Sequence, residues 1–206
     1  MADASQFELI MSTIAVLFEP SGDPAPSGIT SEQLSSILRA PLGVGQAADG
    51  RSIISSNRDQ LEIQVFHNKI DVRELSGDPQ QGAQKIPRVL HEFLELASLG
   101  PVNTVGLNII LEFPLANPGT WIGEHLLNQE LASTLDASVS SKGLSLVFDR
   151  APKTLEFKFE PRGPDKINVN FNSSEDVDSL PPQEQLMNEL TELYESLEGY
   201  LDSLGA

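Results

Sequence analysis

The most reactive side chains of this sequence are three histidines, His67, His91 and His125. Histidine serves as a metal ligand and as a general acid or base. No two of them have the spacing of a helical zinc motif such as H-E-x-x-H, so a metal site would need ligands distant in sequence. Glu124 precedes His125, but neighbours on a helix point about 100° apart. We therefore expect His125 at the edge of the core, and we predict no metal and no cofactor.

Other motifs of catalysis and ligand binding are weak or missing. The chain has no Cys, which excludes disulfides, thiolate catalysis and Cys-based zinc sites. Gly43-Val44-Gly45 has no following Lys and is not a phosphate loop, and no G-x-S-x-G elbow occurs. The polar triplet Asn57-Arg58-Asp59 could bind a ligand, but these are ordinary turn formers. Trp121, the only Trp, could be a binding hot spot, although core packing is favoured. A non-enzymatic protein is the leading expectation.

Charge restricts the possible partners. The chain has 13 basic and 30 acidic residues, a net charge of −17. Nine acids and no base follow Lys166. Such a field repels nucleic acid and anionic membranes and attracts basic partners, or simply keeps the protein soluble. The N-terminal residues lack a basic region and a run long enough to span a bilayer. We expect a soluble, cytoplasmic protein.

The first half begins with an apolar stretch, Phe7–Phe18, which has apolar residues on both faces and predicts a long strand within a sheet. Thr30 and Gln33 have capping-box spacing and open a short helix. Residues 42–50 are predicted to form a loop, and a strand follows at 51–56. Residues 77–82 are also predicted to form a loop, before a helix at about 86–99 with one apolar stripe.

The segment Leu61–Leu75 has the clearest pattern in the chain. A two-residue turn at His67-Asn68 brings apolar residues together on one face and polar or oppositely charged residues together on the other. The predicted pairs are Val65 with Ile70, Ile63 with Val72, Gln64 with Asp71, and Glu62 with Arg73. Because both kinds of pair agree on one register, the sequence predicts a β-hairpin.

The second half has the same order of patterns. Val102–Phe113 predicts a long strand, and Asn117 and Pro118 predict the start of a helix that reaches about Leu131. A strand is predicted at 144–148. A second hairpin pairs residues 155–160 with 167–172, with these side chains inward: Leu155, Phe157, Phe159, Ile167, Val169 and Phe171. The final helix has an apolar stripe composed of Leu186, Leu190, Leu193, Leu197, Leu201 and Leu204.

These patterns predict an α+β protein. Two β-α-β-β-β-α pseudo-repeats, residues 7–99 and 102–204, would form one antiparallel sheet of about eight strands, with two long helices packed on one face. The whole chain, 1–206, would be a single domain. This element order is similar to the duplicated saddle of TATA-binding-protein-like folds. The basic DNA-contacting surface of that fold is missing here, and a fold alone does not carry a function.

Three functional hypotheses remain open. The first is a protein-interaction module (adaptor, scaffold or inhibitor) that presents an acidic helix and a polar sheet face to a protein partner. The second is an acidic nucleic-acid mimic that blocks a basic DNA- or RNA-binding protein. The third is a small-ligand binder or enzyme with a cavity between sheet and helices, lined by Phe7, Phe93, Trp121 and Phe157. The candidate partner-binding residues are Glu62, Asp71, Arg73, Glu156, Lys158, Glu189, Glu192, Glu195 and Asp202. The oligomeric state is left open.

Overall fold

The computed structural model of the chain describes residues 8–19, 29–39, 43–47, 51–97, 100–126 and 143–203. In this part the chain is α+β, with nine strands and four helices. The strands are β1 (Glu8–Phe18), β2 (Gly43–Gln46), β3 (Ser52–Ser56), β4 (Leu61–Val65), β5 (Lys69–Glu74), β6 (Val102–Pro114), β7 (Leu144–Arg150), β8 (Lys153–Pro161) and β9 (Lys166–Asp176). The helices are α1 (Ser31–Leu38), α2 (Pro79–Leu96), α3 (Pro118–Trp121, continuing as a π-helix over Ile122–Leu126) and α4 (Gln183–Ser203).

The nine strands form one sheet in the order β2-β3-β4-β5-β1-β6-β9-β8-β7. Every neighbouring pair is antiparallel. β1 and β6 lie side by side at the centre, so the longest apolar segments of the sequence are covered on both edges by other strands. Both predicted hairpins are confirmed, and the first has the predicted register in all four pairs.

The ninth strand is β2, in a segment predicted to be a loop. Its four residues pair with β3 at the edge of the sheet, and all four are exposed. Gly43 and Gly45 lower the intrinsic tendency of this segment to form a strand. Local sequence therefore does not predict β2. Pairing with β3 supplies the hydrogen bonds that local propensity does not. The prediction of a loop over residues 42–50 was therefore wrong for this strand.

A β-bulge changes which side chains of β1 face the core. The pairing with β6 shifts register between Leu9 and Met11. Leu9 consequently packs against the core, while Ile10, which strict alternation would place on the same face as Ile14, is 38% exposed. An extra residue in one strand reverses the alternation of side chains beyond it, and sequence periodicity does not reveal where that residue lies.

The two helices of the first half differ in how well sequence predicted them. α1 has the predicted capping box between Thr30 and Gln33, and its buried residues are Leu34, Ile37 and Leu38. α2 begins at Pro79, seven residues before the predicted start. Asp78 accepts hydrogen bonds from the backbone N–H groups of Gln80 and Gln81 and thereby caps the helix. Asp followed by Pro at the first helical position is a helix start, so the predicted loop over 77–82 was wrong.

The helices of the second half begin close to the predicted positions. Asn117 precedes α3 in a left-handed conformation, with φ of 52°, and its side chain makes no capping bond, so the predicted cap was wrong. The predicted continuation to Leu131 lies outside the described residues. α4 buries Leu186, Leu190, Leu193 and Leu197, whereas the side chains of Leu201 and Leu204 lie outside the described part. None of the described helices is both long and apolar enough to cross a membrane.

One continuous apolar core joins these elements. α2 contacts β1, β5 and α4, and α1 contacts α2. Phe93, Phe113, Phe159 and Phe171 are the largest fully buried side chains. Interiors are packed as densely as organic crystals, so these rings hold the helices and the sheet in a defined relation. The core leaves the other surface of the sheet to polar residues.

Candidate functional site

A row of polar side chains crosses the sheet on the face opposite the core. Cross-strand partners across β3, β4, β5, β1, β6, β9 and β8 form it: Ser55, Glu62, Arg73, Thr13, Asn108, Asn172 and Glu156. We call these seven residues the polar row. Thr13 is buried, and the other six residues are half-buried. Because strand side chains alternate, Ser12 and Ile14 point from β1 into the opposite face.

Charged side chains tie one end of the polar row together. Arg73 Nη2 lies 3.1 Å from Asp71 Oδ2, and Arg73 Nη1 lies 3.8 Å from Glu62 Oε1. Lys69 Nζ lies 3.1 Å from the other Asp71 oxygen. Gln64 donates to Glu62 and accepts from Arg51 Nη1 at 2.8 Å. We call this group the sheet-face network: Arg51, Glu62, Gln64, Lys69, Asp71 and Arg73. Its side chains are held in defined rotamers by one another.

Three of the predicted partner-binding residues, Glu62, Asp71 and Arg73, are therefore brought together. Their roles differ, because Asp71 is only 2% exposed. Its short side chain lies beneath Lys69 and Arg73, which precede and follow it by two residues on the same face. Asp71 positions these two cations instead of presenting its own carboxylate to solvent. Phe66 supports the arrangement, since Lys69 Nζ lies 4.9 Å from its ring centroid.

Glu156 and Lys158 lie on β8, in the other half of the sheet. Glu156 accepts a hydrogen bond from Ser145 Oγ at 2.6 Å. Lys158 Nζ lies 2.8 Å from Glu160 Oε1, and the hydrogen bond between them raises the pKa of Lys158 and lowers that of Glu160. Four strands separate β8 from β4 in the sheet. The predicted residues of the two halves therefore share a face but form two separate groups.

The acidic residues of α4 form a third group. Glu192 and Glu195 are exposed, whereas Glu189 accepts from Lys153 Nζ at 2.9 Å and from Gln185 at 2.8 Å. The side chain of Asp202 lies outside the described residues. Tyr194 of the same helix bonds Ser12, so α4 lies on the Ser12 side of β1. The acidic helix and the polar row thus lie on opposite sides of the sheet.

A buried polar contact lies where α2, α4 and β1 meet, and the sequence did not predict it. Ser12 Oγ and Tyr194 Oη are 2.5 Å apart, and Ser12 is fully buried. Burial raises the pKa of Tyr194 to about 12. Glu74, paired with Ser12 across the strands, is also fully buried and accepts from the Ser76 backbone N–H at 3.1 Å. Gly82 of α2 allows the close approach, because a Cβ there would lie 2.8 Å from Tyr194 Oη.

The predicted cavity between sheet and helices is filled where the structure describes it. Phe93, Trp121 and Phe157 are buried in the core, and Trp121 lies 6.4 Å from Phe159, centroid to centroid. Phe7 lies outside the described residues. A space of about 10 Å³ remains near Val105 and other residues under α4, which is room for one water at most. These three described aromatic residues are part of the apolar core.

Histidines do not form a site within the described residues. His91 Nε2 lies 3.0 Å from the carbonyl oxygen of Pro181, joining α2 to the segment before α4. His67 lies in the turn between β4 and β5, and the side chain of His125 lies outside the described part. No three His, Asp or Glu side chains in the described ranges converge as a metal site requires.

Sequence reading also missed a pocket rich in basic residues. A volume of about 440 Å³ is lined by Arg39, Arg58, Asp59, Leu61, Gln84, Lys85 and Arg88. We call it the cationic pocket. Its residues come from the end of α1, the turn between β3 and β4, and α2, which are distant in sequence. The only sequence signal was the polar triplet Asn57-Arg58-Asp59, two of whose members line it.

No protein-family model matches the sequence, and no curated protein matches it either.

Proposed function

We propose that this protein is a non-enzymatic protein-interaction module, and that the polar row is its docking surface. The observation that carries the proposal is the preorganisation of this surface. In the sheet-face network the charged groups of Glu62, Lys69 and Arg73 are held by ion pairs on a rigid sheet. A surface whose side chains are already ordered loses less conformational entropy when a partner binds.

The partner expected is a protein with a polar surface of mixed charge. The sheet-face network contains three cations and two carboxylates, so it complements a surface that also has both signs. The acidic side of α4, with Glu192 and Glu195 exposed, would speed the approach of a partner that also carries basic residues. α4 is on the other side of the sheet, so its contribution is to association rate more than to contact.

The nucleic-acid mimic remains the alternative, and α4 is the element that favours it. A mimic needs carboxylates that are free of cations, as phosphates are on a nucleic acid. On the sheet face, Glu62, Asp71, Glu112 and Glu160 each have a cationic partner within 4 Å. The exposed Glu192 and Glu195 have no such partner among the described residues. The ion-paired acids of the sheet face therefore favour the interaction module over the mimic.

The two halves of the chain support a further part of the proposal, that the protein is one domain built from a duplicated unit. In each half the first strand lies at the centre and its last strand lies beside it: β5 beside β1, and β9 beside β6. Pairing of β1 with β6 joins the halves in one sheet. A related chain that has a single half and dimerises through its first strand would be direct support. Related chains in which the halves differ in strand order would contradict duplication.

The experiment is affinity capture from an extract of the source cells, followed by binding measurements with the purified partner. Asn172→Arg places a long charged side chain in the polar row. Ser36→Arg is the matched control on the exposed side of α1. A third variant, Glu192→Gln with Glu195→Gln, neutralises the exposed acids of α4.

The docking proposal predicts that Asn172→Arg weakens partner binding at least tenfold while Ser36→Arg leaves it unchanged. The α4 variant should slow association and reduce its salt dependence, with little change in dissociation. The mimic would be established instead by a partner that is itself a nucleic-acid-binding protein. This partner would no longer bind the α4 variant but would bind Asn172→Arg normally.

A further inference from the structure

The cationic pocket concentrates positive charge in an acidic protein. Four of its residues are basic: Arg39, Arg58, Lys85 and Arg88. They are four of 13 basic residues in a chain of net charge −17. Among the described lining residues, Asp59 is the one acid. Like charges around one opening repel each other, and an anion bound there would relieve this repulsion.

Two of the four cations are held in place by the protein. Arg88 Nη1 donates to the carbonyl oxygen of Ile37 at 3.1 Å and to Glu92 at 2.8 Å. Lys85 Nζ donates to Gln81 at 2.6 Å and approaches the carbonyl oxygen of Asp59 at 3.5 Å. These bonds tie α2 to the end of α1 and to the β3–β4 turn. They account for Lys85 and Arg88 as structural residues, and they also hold both charges at the pocket.

The other two cations have no such structural explanation. Neither Arg39 nor Arg58 makes an ion pair or a side-chain hydrogen bond within the described part of the chain, and both are exposed. Arg39 also has a left-handed backbone, with φ of 52°, at the end of α1. Glycine is the usual residue there, since a Cβ in this conformation costs about 1 kcal/mol. The chain has an arginine at this position, and no described side chain pairs with its guanidinium.

From these observations we propose that the cationic pocket binds a small phosphorylated molecule. A guanidinium matches the geometry of phosphate oxygens through paired N–H donors, and Arg39 and Arg58 offer two that have no side-chain partner among the described residues. The net charge of the lining, four cations and one carboxylate, suits a ligand with two to four negative charges. The volume of about 440 Å³ lies in the range of small-molecule sites and exceeds what a single phosphate fills. This site is separate from the proposed docking surface and does not depend on it.

The test is isothermal titration calorimetry of the full chain with two probes, inorganic pyrophosphate and ribose 5-phosphate, at low and fixed ionic strength. The variants are Arg39→Gln and Arg58→Gln, which remove guanidiniums that hold no other described part of the fold. Lys166→Gln is the matched control, a half-exposed cation at the start of β9, far from the pocket along the sheet. Urea unfolding verifies that each variant is folded.

At least one probe should bind the wild type, and each arginine variant should weaken that binding about tenfold, the effect of losing one charge-assisted hydrogen bond. Lys166→Gln should bind as the wild type does. Tighter binding of the sugar phosphate than of pyrophosphate would assign the rest of the volume to an organic group, and the reverse would assign it to a second phosphate. Absence of binding by both probes would overturn the proposal. Equal binding by the wild type and both arginine variants would also overturn it, and so would an equal loss of binding in Lys166→Gln.

Discussion

The contact between Ser12 and Tyr194 yields a prediction about stability and pH. The two hydroxyl groups are 2.5 Å apart between the central strand β1 and helix α4, and Ser12 is fully buried. Tyr194→Phe removes the phenol oxygen and leaves Ser12 Oγ buried without this partner. A buried polar group left unsatisfied costs about 1–3 kcal/mol. At neutral pH the variant should therefore be less stable than the wild type by about 1–2 kcal/mol.

At alkaline pH the sign of the difference should reverse. Burial raises the pKa of Tyr194 from 10.0 to about 12. Above pH 10 the phenol ionises in the unfolded chain but not yet in the folded protein, so the wild type loses stability as the pH rises toward 12. Two pKa units correspond to about 2.7 kcal/mol. This loss is larger than the advantage of the hydrogen bond, so the two stability curves should cross between about pH 10.5 and 12.

The assay is urea unfolding monitored by fluorescence of Trp121, the only tryptophan, which is buried beside Phe159. Stability of wild type and Tyr194→Phe is compared from pH 7 to about pH 11.5, so that ionisation of other groups cancels in the difference. Ser12→Ala completes a double-mutant cycle, which isolates the coupling between the two hydroxyls. A difference that stays constant up to pH 11.5, or a coupling of zero, would refute the reasoning, because a buried neutral phenol bonded to Ser12 requires both effects.

Three further predictions concern Gly82, Asp71 and Asp78. Gly82→Ala should destabilise the wild type, since the new Cβ would lie 2.8 Å from Tyr194 Oη and 3.2 Å from Ser12 Oγ. In the Tyr194→Phe background the loss should be smaller, because the phenol oxygen is gone, and an equal loss in both backgrounds would contradict the packing. Asp71→Ala should lower the free energy of unfolding by about 2 kcal/mol, because it leaves Lys69 and Arg73 without their shared carboxylate. Asp71→Asn should lower it by less than Asp71→Ala does, and chemical denaturation measures both changes. Hydrogen bonds from Gln81 lower the pKa of Asp78 below its usual 3.8. The stability that Asp78 provides as the cap of α2 should therefore be present above pH 3.8 and decline as the pH falls further. Asp78→Asn should remove this part of the acid dependence in the same assay.

The first hairpin illustrates which parts of the site the sequence could predict. The pairing of Glu62 with Arg73 followed from the alternation of side chains and a two-residue turn, and the structure has this register. Local sequence could not predict that Asp71 would lie beneath Lys69 and Arg73. On the side away from β4, its neighbour across the strands is Ala15 of β1. That neighbour lies more than fifty residues away in the chain.

Local sequence by itself determined the α+β class, the two hairpins and the apolar faces of the helices, because each of these depends on residues only a few positions apart. Only the tertiary structure decided the features that need distant segments. The edge strand β2 forms because β3 supplies its hydrogen bonds, despite its two glycines. The cationic pocket forms because α1, the β3–β4 turn and α2 bring Arg39, Arg58 and Lys85 to one opening. Sequence periodicity predicts which face of its own helix or strand a side chain lies on. It does not predict which side chain of another element packs against it.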